Sequence, residues 1–233
     1  MKQVIFIFFA LIFGLQAHAQ LEEKMKKYNV VKGVIYKDGK SIEGYMRKTG
    51  VDVSKSFDFV VQTPWDFQRE IYFIPKEKFD KSEKIRRKYF TRYKPSKCDG
   101  YKYNDSLTYT TVKYADLSGG VGLGMLARKT FLKKVMDGKI SLYLHYPKPQ
   151  TVEELQAETV VLVFRKANAK NAKPVVGMSV KKIMADCPTV AEKFANDEYK
   201  AEDFKFATKF GTKLIAREKT RLLAIFDYNK TCK

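Results

Sequence analysis

His145 is the side chain best placed for acid–base chemistry. It sits on a run in which Ile140, Leu142, Leu144 and Tyr146 alternate on one face, and it shares the other face with Ser141 and Tyr143. A general base beside a hydroxyl is the chemistry that arrangement would offer. The chain lacks the G-x-S-x-G elbow that makes Ser–His chemistry specific. An exposed or half-buried strand histidine is therefore the expected state of His145. Cys98 could act as a thiol nucleophile with the same imidazole, but neither residue carries a local signature of that chemistry. A hydrolase or thiol enzyme using His145 stands as the alternative reading, and no catalytic residue is assigned. The one other histidine, His18, falls in the N-terminal apolar segment, so metal sites built on several histidines are excluded by count. No cofactor is implied.

Gly119, Gly120, Gly122 and Gly124 invite a phosphate-loop reading, yet they match neither G-x-G-x-x-G nor G-x-x-x-x-G-K-[ST] and lack a strand-then-helix context. A flexible connecting loop is expected there. Glu153, Glu154 and Glu158 are near neighbours in sequence, a pattern usual for a solvated face.

The strongest local signal is charge. Residues 76–97 carry ten Lys and Arg, among them Lys84, Arg86, Arg87, Lys88, Arg92 and Lys94, against Glu77, Asp80 and Glu83. Tyr89, Phe90 and Tyr93 interleave with the cations, a combination suited to anionic groups. Over the whole chain 45 Lys and Arg against 26 Asp and Glu leave a formal charge of +19. Such an excess speaks to the kind of partner rather than to a reaction. With 45% hydrophobic and 14% aromatic residues the chain is too apolar to be disordered.

The compartment narrows the partner. Lys2, the uncharged run Val4–Leu15 and the small residues Ala17 and Ala19 before Gln20 form the pattern of a cleaved secretory signal over residues 1–19. That apolar run is shorter than the roughly 20 residues a membrane-spanning helix needs. No transmembrane segment is expected after cleavage, and the protein is expected in the periplasm or outside the cell. There, anionic lipid, lipopolysaccharide and acidic glycan are the polyanions within reach, and nucleic acid is disfavoured.

The elements that must position these residues follow from periodicity. Residues 30–36 and 42–46 flank Asp38-Gly39 as a hairpin. Short strands are expected over 57–61 and 70–74, then Tyr101–Tyr103, a turn at Asn104–Ser106, and Leu107–Tyr114. Residues 130–136 and 139–146 around Asp137-Gly138 form the clearest hairpin, and 160–164 a further strand. Beyond residue 178 the period lengthens. Ser179 caps a helix over 180–186, Thr189–Glu192 reads as a capping box, and helices are expected over 203–210 and 213–228. The fold class is α+β: an antiparallel β-rich body over 20–178, of hairpins arranged as a roll or open barrel, and a C-terminal helical segment over 179–233 packed on the same unit.

Export bears on the cysteines, because disulfides persist in oxidising compartments. Cys187 and Cys232, both in the last quarter, are the expected pair; the odd count leaves Cys98 as a free thiol or a different pairing open. Two stretches carry a resemblance. The run from Phe131 to Tyr143, with Gly138-Lys139-Ile140-Ser141-Leu142-Tyr143, and the pair Asp186-Cys187-Pro188 with Tyr228-Asn229-Lys230-Thr231-Cys232 resemble secreted proteins common in Bacteroidetes, in which a DCP helix leads to a terminal YN..C. The resemblance supports pairing Cys187 with Cys232 and implies a compartment and a fold style, but no activity. The chain departs from it in carrying Cys98 and in a longer, more basic segment before Tyr228. The functional expectation is a secreted or periplasmic, non-enzymatic protein that associates with anionic envelope components through its basic segment.

Overall fold

A computed structural model describes residues 19–48, 51–52, 60–61, 64–116, 127–148, 159–205 and 213–232, with 51–52 and 60–61 as backbone only. The signal-like run 1–18, Phe57 and Phe59, the glycines 119–124, the three glutamates near 155 and residues 206–211 lie outside the described residues.

The architecture is α+β. Ten antiparallel strands form one sheet in the order β12-β11-β10-β9-β8-β7-β1-β2-β5-β6, and a helical segment follows in the chain. Strands β1 (Val30–Lys37) and β2 (Lys40–Arg47) make the expected hairpin. Asp38 and Gly39 take φ of 51° and 72°, the left-handed pair that a two-residue turn between twisted strands demands. A separate two-strand ladder joins β3 (Val51–Asp52) to β4 (Val60–Val61). Strands β5 (Ile71–Pro75), β6 (Thr91–Tyr93), β7 (Gly100–Tyr103) and β8 (Leu107–Tyr114) follow, then β9 (Arg128–Met136), β10 (Ile140–His145), β11 (Val161–Lys166) and β12 (Lys173–Pro174).

The sheet curls strongly and stays open. Gln68 is hydrogen-bonded to Tyr146 at the end of β10, and Ile71, three residues later, already lies in β5. Six places in the strand order separate β10 from β5. At about 4.8 Å per strand a flat sheet would put them nearly 30 Å apart, beyond the roughly 10 Å reach of three residues. The sheet must therefore bend round the crossing segment. A 3-10 turn at Asp66–Gln68 fills the bend: Phe67 stacks on Tyr109 with ring centroids 5.6 Å apart and meets Tyr103 edge-on at 4.8 Å, while the Tyr101 hydroxyl donates to the Phe67 carbonyl.

Two groups of helices cover the sheet. At one end the helix over residues 19–27 (α1) and α2 (Lys76–Lys81) pack Leu21, Met25 and Phe79 on Val30, Tyr45 and Ile74. Residues 20–28 are mostly polar and charged, yet the i, i+4, i+7 spacing of Leu21, Met25 and Tyr28 gives them an apolar stripe that finds a partner. At the other end α3 (Val180–Ile183), α4 (Pro188–Ala195) and α5 (Ala216–Thr231) bury Val180, Val190, Leu222, Ile225 and Tyr228 against Ile140, Leu142, Leu144 and Phe164.

Several helix boundaries differ from the sequence reading. Ser179 makes no side-chain capping bond, and α3 stops at Ile183. The start of α4 is Pro188, not a capping box at Thr189, because a proline with its fixed φ suits the first helical position. Residues 201–203 form a single 3-10 turn in place of the start of the helix expected from 203. The last helix runs three residues later than expected, since the Ile215 N–H donates to the Glu218 carboxylate (3.1 Å) and fixes the start at Ala216.

Candidate functional site

The basic segment is held by its aromatic residues. Ile85, Tyr89 and Phe90 pack on the cluster of Val30, Tyr45, Ile74 and Phe79, which leaves Lys84, Arg86, Arg87 and Lys88 exposed between α2 and β6. Interleaving of rings and cations here serves anchoring, with Lys78 over the Tyr89 ring at 4.8 Å. Lys84, Arg86, Arg87, Lys88 and Lys94 take part in no ion pair among the described residues, whereas Arg92 is bound to the Glu70 carboxylate. That bond lowers the Glu70 pKa against the raising effect of burial, which is the largest single influence.

The structure divides the six predicted cations. Lys84, Arg86, Arg87 and Lys88 sit on the outer loop. Arg92 and Lys94 instead line a cleft of about 600 Å³, together with Arg69, Arg128 and Lys129. Those three residues were missed in the sequence because they are far from residues 76–97, and only the curl of the sheet brings β9 beside β6. Glu70 and Asp116 are the acids of this cleft. Arg69 lies over the Trp65 ring at 4.7 Å, and Lys148 approaches the same ring at 5.9 Å. A second cleft of about 510 Å³ adjoins it, sharing Arg92 and Lys129 and adding Lys37 and Lys97 with Asp38 and Asp99.

His145 lines the first cleft and is 5% exposed, so the expectation of an exposed or half-buried residue is corrected. Strand β10 is interior to the sheet, flanked by β9 and β11, and Tyr143, Val112, Tyr114 and Val163 bury the face opposite the helices. Nε2 of His145 is 3.5 Å from Asp116 Oδ2, the ring lies 4.9 Å from that of Tyr114, and Nδ1 has no hydrogen-bond partner among the described residues. Burial lowers its pKa, with Asp116 opposing.

Neither proposed nucleophile reaches it. The Ser141 hydroxyl is engaged at the far end of β10, donating to Asp137 Oδ1 (3.1 Å) and to the Gly138 carbonyl. Cys98 is buried and belongs to the second cleft; burial pushes its pKa up to about 11, so the thiol stays protonated at neutral pH. Among the described residues no group of three or more His, Cys, Asp and Glu is placed to hold a metal ion. No helix among them is long and apolar enough to cross a membrane.

Comparison of the chain with protein-family models, curated proteins and solved structures finds no match. The chemistry has to be read from the residues themselves. Those of the sequence motifs are structural. Cys187 and Cys232 form a disulfide, Asp186 accepts from the Tyr228 hydroxyl (2.7 Å) and from Lys166 Nζ (2.8 Å), and Asn229 binds the backbone of Ile140. Segments distant in sequence thus meet at one corner, where α5 crosses the β9–β10 turn.

Proposed function

We propose that the protein is exported and associates, without catalysis, with anionic components of the cell envelope: anionic lipid, lipopolysaccharide or acidic glycan. One observation carries this reading. Lys84, Arg86, Arg87 and Lys88 are exposed, and form no ion pair among the described residues, on a loop that Ile85, Tyr89 and Phe90 fasten to the sheet. A fixed cluster of unpaired like charges raises the local potential and draws polyanions. Export is supported by the signal-like pattern of residues 1–19, by the resemblance to secreted proteins of Bacteroidetes, and by a disulfide of the kind that persists in oxidising compartments.

Retention on lipopolysaccharide and on anionic liposomes over a salt titration tests the reading. Wild-type protein is retained at low salt and released as salt rises, and the combined Arg86→Glu, Arg87→Glu and Lys88→Glu variant loses retention. Unchanged retention of that variant, with its circular dichroism intact, rejects the role of the loop.

A further inference from the structure

We propose that the two adjoining clefts form one groove for a linear acidic polysaccharide, such as a polyuronate chain; this rests on the envelope-binding reading above and names the class of polyanion. The clefts, of about 600 and 510 Å³, share Arg92 and Lys129 as the ridge between them. Lys94 and Arg128 stand on one side of that ridge and Lys37 and Lys97 on the other. Lys94, Lys97, Arg128 and Lys129 form no ion pair among the described residues. Four acids, Asp38, Glu70, Asp99 and Asp116, offset part of this charge, Glu70 pairing with Arg92 and Asp38 lying 4.0 Å from Lys37, and the lining stays net positive. Cations in excess along a concave surface suit a chain that carries an anion on successive units, and low-dielectric walls focus their field.

Shape and ring placement separate the candidate polyanions. A bilayer presents its charges in a plane, which matches the exposed cations of residues 84–88 and not a pair of recesses. Single-stranded nucleic acid needs a row of free ring faces for successive bases. Here Tyr93 is packed edge-on to Phe73 (6.1 Å), Tyr114 is against His145, and Trp65 is already under Arg69. A sugar-acid chain needs carboxylate partners and hydroxyl partners instead. The groove supplies cations for the first, and for the second the hydroxyls of Thr91 and Ser96, which line the second cleft.

Calorimetric titration of the whole protein with galacturonic acid, a short and a long oligogalacturonide, phosphatidylglycerol vesicles and a single-stranded oligonucleotide decides the matter. The long oligouronate is expected to bind at least about tenfold more tightly than the monomer, because it engages both sides of the ridge. Lys129→Glu should weaken it by about tenfold or more, and by more than the 86–88 triple variant does. Exposed Lys94→Glu provides a second probe should Lys129→Glu perturb folding. Equal affinity for monomer and oligomer, insensitivity to both variants, or tighter binding of the oligonucleotide overturns the proposal. Vesicle binding that depends on residues 86–88, with no oligouronate binding, overturns the groove alone and leaves the broader reading standing; binding to none of the probes overturns both.

Discussion

The carboxamide of Asn229 pairs with both backbone groups of Ile140: the Ile140 N–H donates to Asn229 Oδ1 at 2.9 Å, and Asn229 Nδ2 donates to the Ile140 carbonyl at 2.8 Å. The other end of β10 is held the same way, with Gln68 Nε2 donating to the Tyr146 carbonyl (2.5 Å) and the Tyr146 N–H donating to Gln68 Oε1 (2.9 Å). Two side-chain amides thus stand in for neighbouring strands at both ends of the most buried strand.

Replacing Asn229 by Ala leaves a backbone donor and acceptor without partners in a region shielded from water. A loss of about 2–4 kcal/mol is expected, read from urea unfolding midpoints. Gly138→Ala should act on the same pair, because a Cβ there would lie 2.7 Å from Asn229 Nδ2. The two substitutions together should cost less than their sum. Simple additivity would show that they do not share the contact.

Gln68→Ala removes the equivalent clamp beside the cationic cleft and should cost a similar amount. It has a second expected effect, since the same residue holds the crossing segment 64–70 in the bend of the sheet. Hydrogen exchange at β5 and β6 should quicken in this variant. Gln68→Glu discriminates further, because a carboxylate can accept from the Tyr146 N–H but repels its carbonyl.

The Cys187–Cys232 disulfide closes a loop with a sequence separation of 45 residues and ties the end of α5 to the start of α4. Loop-closure entropy gives about 4 kcal/mol for such a crosslink. The double Ser variant should unfold at correspondingly lower urea concentration, and reduction of wild-type protein should reproduce the shift. Non-reducing mass mapping should find this pair, with Cys98 free.

Stability should also depend on pH in two windows. Asp227 accepts from Tyr199 (2.6 Å), Thr231 (2.7 Å) and Lys193 (3.0 Å). Led by the Tyr199 hydroxyl, these bonds hold its pKa down to about 2. The unfolded chain binds that proton first, so a contribution of about 2 kcal/mol is present above the ordinary carboxylate value and fades as pH falls from about 4 to 2. Asp227→Asn should flatten this limb of the unfolding curve.

His145 acts in the higher window. Burial depresses its pKa below the ordinary 6.5, so protonation favours the unfolded chain. Its contribution is whole above that value and is lost as pH drops through it toward the folded value. Urea midpoints of wild-type protein should therefore fall more steeply below neutrality than those of His145→Gln. A parallel pair of profiles would show that Asp116 offsets the burial completely.

Local information in the chain was enough for most elements. Alternation around Asp38-Gly39 and around Asp137-Gly138 marks the two hairpins, because side-chain period and turn geometry are properties of a few neighbouring residues. The change of period after residue 178 marks the helices, although Pro188 and Glu218 shift their starts. The pairing of Cys187 with Cys232 was legible from their place in the last quarter and from the motifs around them. What local pattern could not supply was which faces are covered. His145 alternates like a strand residue with one wet face, yet β10 lies inside the sheet with both faces packed. Residues 76–97 announce their own charge, but Arg69, Arg128 and Lys129 carry no local mark of belonging with Arg92 and Lys94. They meet because Gln68 binds the end of β10 only three residues before β5 begins, which forces the sheet to curl and carries β6 to β9. Periodicity is a short-range property that the sequence by itself determined; the cationic groove is a long-range one, decided by how a ten-stranded open sheet curls round the residues that cross it.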